Sequence, residues 1–184
     1  VLHWFKWEAY FTWISGFSLM IIIYYWGAET YLIDREVLDL SKLQAIGISV
    51  SSFIVSWIVY DRVCKAPLGK NDITLSIIVF LLILLAAYGF TNIYSGRGAF
   101  VHVGAMVGTI MVANVFLVII PNQRIVVKAL IKGEEPDAYL GVEGKQRSTH
   151  NNYLTLPVLL MMISSHFPMI FSNQHSWLVV GLVI

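Results

Sequence analysis

The chain has 184 residues, of which 58% are hydrophobic and only 12% charged, with a formal net charge of +1 and a mean hydropathy of +0.74. A water-soluble globule carries about 45–50% apolar and about 25% charged residues, so that class is excluded. The small net charge leaves no nucleic-acid footprint, and the single cysteine, Cys64, excludes an internal disulfide framework, a cysteine-based metal site and, with no CxxCH, c-type haem attachment.

A helix needs about 20 mainly apolar residues to cross a bilayer. Five stretches meet that need: Ala9–Ala28, Leu43–Tyr60, Ile73–Thr91, Ala99–Ile120 and Tyr153–Phe171; a sixth begins near Ser176. The runs are continuously apolar without a period of two, so they read as helices rather than barrel strands. The expected fold is an all-α membrane protein, one transmembrane bundle over residues 1–184 with about six spans. The chain opens on Val1-Leu2-His3-Trp4 without a signal-peptide pattern and closes on Leu182-Val183-Ile184 inside an apolar run. Both ends therefore read as truncations.

In the first helix, Trp4, Trp7, Tyr10 and Trp13 mark one end and Tyr24, Tyr25, Trp26 and Tyr31 the other, as aromatic belts at the headgroup level do. The connections are Glu29–Lys42, Asp61–Asp72, Asn92–Gly98, the long Pro121–Asn152 segment and a turn near Ser172–His175. Alternated across the membrane, one side receives Lys6, Arg62, Lys65, Lys70, Arg124, Lys128, Lys132, Lys145 and Arg147. The other receives Arg35, Lys42 and Arg97. The bias puts the chain's start and the 121–152 loop, read as solvated, in the cytoplasm. His102, His166 and His175 then lie near the outer surface, His3 and His150 near the inner one.

Polar groups inside a bilayer are costly and ask for a partner or a purpose. In the fourth span, Gly104 and Gly108 form a GxxxG suited to close helix packing, and Asn114 is placed to bond across to another helix. His102 lies about one turn into the same span. The fifth span opens His150-Asn151-Asn152-Tyr153, carries Pro157 and ends Ser164-Ser165-His166. His150 and His166 stand about 24 Å apart along a helix and serve opposite surfaces. His102 and His166 are the pair expected at similar depth. Facing imidazoles across a bundle can ligate a haem b iron, with Arg97 placed for a propionate. Spacing leaves the alternative open that both are hydrogen-bonded boundary residues. No phosphate loop, Ser-His-Asp order or HExxH occurs.

From His3-Trp4-Phe5-Lys6-Trp7-Glu8-Ala9-Tyr10 onward the chain resembles a known family. Further matching segments are Pro67-Leu68-Gly69, Tyr94–Phe100, His102–Met106, Gly108–Asn114, Pro121-Asn122-Gln123-Arg124 and Gln146–Pro157. The resemblance covers essentially the whole sequence and is to the membrane domain of the bacterial membrane-bound, cytochrome c-linked urate oxidase (urate hydroxylase) family. It implies further spans on either side, a cytochrome c domain outside the membrane, and oxidation of urate with electrons passed to the respiratory chain. No cytochrome c module lies within these residues, so the electron exit is expected to be absent or to sit on a further domain or another chain.

Two functions follow as expectations. One is an inner-membrane oxidoreductase acting on urate. It would have His102, His166 and Arg97 at a haem and His150, Asn151, Asn152 and Arg147 at the substrate, and a cytochrome c or respiratory-chain component as acceptor. Urate is anionic, so an arginine suits its recognition. The other is a non-catalytic membrane subunit packed with other subunits in a respiratory or photosynthetic complex. A transporter is the weakest reading, because no matched pair of broken helices is present.

Overall fold

The computed structural model describes residues 2–173 and 175–184; the side chain of His3, expected at the inner surface, lies outside the described residues. Among these residues every regular element is a helix. Helix α1 (Leu2–Met20) continues through a π-helical segment, Ile21–Trp26, into the short α2 (Ala28–Tyr31). Then come α3 (Lys42–Lys65), α4 (Asp72–Thr91), α5 (Gly96–Ala113), a second π segment (Asn114–Ile119), α6 (Ile120–Lys132), α7 (Ala138–Ser164), α8 (Pro168–Phe171) and α9 (Ser176–Val183).

Four segments are long and apolar enough to cross a membrane: Lys6–Trp26, Lys42–Lys65, Asp72–Thr91 and Gly96–Lys132. The fifth expected stretch is the apolar half of α7, and α9 carries the start of the sixth. Their helix ends follow local chemistry. Ser41 and Gln44 close a capping box on α3. The Asn71 side chain accepts from Ile73 and Thr74 N–H at 3.0 Å and starts α4. Ser95 caps α5 through Gly98 N–H, and its hydroxyl also donates to the Tyr31 carbonyl at 2.7 Å, so the end of the first span is tied to the start of α5.

Two boundaries differ from the sequence reading. The 121–152 segment is not a loop. Pro121 lies inside a helix that runs on from Gly96, directly after the π turn Asn114–Ile119, and that helix closes only at Gly133 in the left-handed conformation (φ 75°). Asp137 caps α7 at once, so residues 133–137 are the whole connection. The fifth stretch stops at Ser164 rather than Phe171, because Pro168 drives Phe167 to an extended φ of −120°.

The bundle centres on α5. Phe100, Val103, Met106 and Val107 are buried there with Phe53 of α3, Phe90 of α4 and Leu154 and Met161 of α7. The Gly104–Gly108 face receives α7 as expected: a Cβ at Gly104 would meet Met161 Cβ at 3.0 Å, and one at Gly108 would meet Val158 at 3.9 Å.

Candidate functional site

Two buried polar positions sit on the central helix, at His102 and Asn114. They are twelve residues apart, hence about 18 Å along its axis.

At the first, His102 is fully enclosed. The π segment turns both Tyr24 and Tyr25 inward, and their ring centroids lie 5.8 and 6.2 Å from the imidazole. Phe53 at 6.0 Å, Phe90 at 6.1 Å and Tyr94 at 4.9 Å complete the surround. The tyrosine hydroxyls are engaged: Tyr94 donates to the Ala45 carbonyl at 2.9 Å, Tyr25 shares a 2.6 Å bond with Ser49, and Tyr24 pairs with Arg97. His102 Nδ1 donates to the Gly98 carbonyl at 2.7 Å, which leaves Nε2 as a buried acceptor without a hydrogen-bond partner. Arg97, half-buried, lays its guanidinium 5.5 Å from the Tyr31 ring, with Nε unpartnered.

His166 is exposed, in the turn that follows α7. No ring contact or hydrogen bond joins it to His102 among the described residues. A bis-histidine haem needs two imidazoles across a gap wide enough for the macrocycle. Here one ring is packed by five others and its intended mate faces outward, so this donor set, as folded, does not fit that group. No group of three or more His, Cys, Asp or Glu side chains suited to a metal occurs among the described residues.

The second position is a connected network. Arg147 is completely buried and donates from Nη2 to Asp61 Oδ1 at 2.7 Å; Asp61 Oδ2 also takes Lys65 Nζ at 2.8 Å. The Arg147 guanidinium lies 5.0 Å from the Tyr60 ring centroid. Tyr60 Oη is 2.7 Å from His150 Nδ1 and accepts from Asn114 Nδ2 at 3.1 Å. The same Asn114 amide donates to Asn151 Oδ1 at 3.1 Å, and Asn151 in turn donates to the Met111 carbonyl at 2.9 Å. Asn114 opens the second π segment, where the widened turn carries it to this junction. Three buried polar atoms of the cluster stay unpartnered: Arg147 Nε and Nη1, and Asn114 Oδ1.

His150 precedes the apolar part of α7. Burial holds its pKa below the usual value, Arg147 acts in the same direction, and Asp72 opposes. A buried guanidinium with two unpartnered nitrogens and an unpartnered amide oxygen in the same network supply both donors and an acceptor. That arrangement suits a small planar anion bearing carbonyl and N–H edges.

The sequence model of the urate oxidase N-terminal family matches residues 1–184, the whole of the sequence. The chain belongs to the urate oxidase N-terminal family. No match was found among curated proteins or among solved structures.

Within this urate oxidase N-terminal chain, the structure brings together Arg147, His150 and Asn151 of the expected substrate residues. Asn152 points outward and is exposed. Asn114 bonds across helices, as its depth in the apolar run suggested. Sequence reading missed Asp61 and Tyr60. The available signal was the demand itself: a buried arginine needs a counter-ion, and Asp61 is an acid at the end of a span on the same side.

Proposed function

We propose that the chain is the membrane part of an oxidoreductase that oxidises urate, with urate held at the Arg147 cluster. Its electrons go to a cytochrome c or another respiratory-chain component carried on a separate domain or chain. The observation that carries this reading is Arg147: fully buried, bound to Asp61 through one nitrogen only, and without partners at Nε and Nη1, with Asn114 Oδ1, also unpartnered, on the other side of Tyr60 in the same network. Urate is a planar anion with carbonyl oxygens for the guanidinium and N–H groups for the amide oxygen. A water-poor site strengthens both kinds of contact. The family match supports the substrate class. The excess of Lys and Arg flanking this end of the bundle supports a cytoplasmic site in a bacterial inner membrane. A haem is not needed to hold the substrate.

The test is urate-dependent reduction of added cytochrome c by membranes that carry the full-length protein. Arg147→Gln removes the charge and should abolish reduction at low urate. Reduction equal to wild type in that variant would place the substrate elsewhere.

A further inference from the structure

The hydrogen bonds around Tyr60 admit one continuous direction. An amide N–H can only donate, so Asn114 Nδ2 gives its proton to Tyr60 Oη at 3.1 Å. The Tyr60 hydroxyl proton is then free to point at His150 Nδ1, 2.7 Å away. With His150 Nδ1 as the acceptor of that proton, the neutral ring carries its own proton on Nε2. Tyr60 is buried and its ring lies under Arg147, whereas His150 is half-buried at the boundary before the apolar part of α7. The hydrogen bonds thus lead from Tyr60, whose ring lies against the buried cation, to His150 at the edge of the bundle.

We propose that Tyr60 and His150 form a proton relay that drains the Arg147 site, with Asn114 fixing its direction. The proposal deepens the reading of that site as a urate site and rests on it. Addition of water to urate with loss of two electrons gives a hydroxylated purine and two protons. The electrons reduce two one-electron acceptors of the cytochrome c class. Each proton passes to Tyr60 Oη as the Tyr60 proton passes to His150 Nδ1; the imidazolium releases its Nε2 proton to water at the boundary, and proton exchange with that water restores the Nε2–H ring before the next proton. Tyr60 ends each step as the neutral phenol it began as. Asn114 acts through Tyr60 and is a positioning residue. The charged and titratable groups facing the relay are Asp61, Cys64 and Lys65 of α3, Asp72 of α4, and Glu143 and Arg147 of α7.

Two measurements on the full-length protein test this. In the first, histidine 15N resonances are recorded without urate. His150 should be neutral with its proton on Nε2, and Tyr60→Phe should shift its Nδ1 resonance. A proton on Nδ1 in the wild type overturns the relay. In the second, urate turnover is followed in Tyr60→Phe and His150→Gln. Loss of a general acid–base path lowers kcat by about a hundredfold or more with KM little changed. The wild type should show a solvent deuterium isotope effect on kcat, and imidazole should partly rescue His150→Gly. Unchanged kcat in both variants overturns the relay. A wild type that keeps the Nε2 tautomer but does not turn over urate counts against the urate reading, not against the hydrogen-bond relay.

Discussion

Asp61→Ala tests whether the buried pair governs the stability of this end of the bundle. The Arg147 side chain has no exposed surface, and that of Asp61 is 10% exposed. Removing the carboxylate leaves a guanidinium out of water with none of its three nitrogens paired, since Nε and Nη1 are already open. Breaking a buried pair from one side costs about 3–5 kcal/mol. The Lys65 contact adds little to that figure, because Lys65 is 49% exposed and such pairs contribute about 0–1 kcal/mol. For a chain of this length the loss corresponds to a fall in Tm on the order of 10 °C. Thermal unfolding in detergent micelles, followed by tryptophan fluorescence, reads it. The double variant Asp61→Leu/Arg147→Met should recover most of the loss, because replacing both charges by apolar groups is close to neutral. It should also have no urate turnover. A single variant that melts with the wild type would refute the argument, and so would a double variant as unstable as the single.

Other outcomes follow from the same geometry. His102→Ala opens a void among five rings and should cost about 3–5 kcal/mol, whereas His102→Phe removes the unpartnered Nε2 and should stay within about 1 kcal/mol of wild type; denaturant titration in detergent distinguishes them. Gly104→Val drives a side chain into Met161 Cβ, 3.0 Å from where a Cβ would stand, and should cost about 1–3 kcal/mol by separating α5 from α7. His166→Ala should leave the reduced-minus-oxidised visible spectrum unchanged, because His166 is exposed and makes no contact with His102; loss of a b-type band in that variant would restore the axial-pair idea. His150 is held below its usual pKa in the folded chain, so the unfolded chain takes up its proton first, near pH 6.5. The stability it contributes is full above that pH and is lost as pH falls below it. His150→Asn should therefore flatten part of the acid-side fall in Tm.

The helical class and the first four spans were legible because apolar runs of spanning length leave few alternatives to a helix. The GxxxG face was legible for the same local reason: a stripe of small residues on a central helix has one common use. The 121–152 segment was not. Its mixed charges look like solvent-facing loop, but they decorate the end of one helix and the start of the next, whose limits are set by Gly133 and Asp137. The site was half legible. Arg147, His150 and Asn151 stand within five residues on one helix and were visible as a cluster. Asp61 and Tyr60 come from a helix 86 and 90 residues away in sequence. Only the fold brings them there. His102 was legible as a buried polar residue, but its surroundings were not, because they depend on a π segment that turns two adjacent tyrosines to the same side.

The measurement that bears most directly on the central claim is equilibrium binding of isotope-labelled urate to the detergent-purified full-length protein, wild type against Arg147→Gln. A urate site at the buried guanidinium predicts saturable binding in the wild type that the variant loses. Binding that survives in Arg147→Gln, or a wild type that binds no urate, would contradict it.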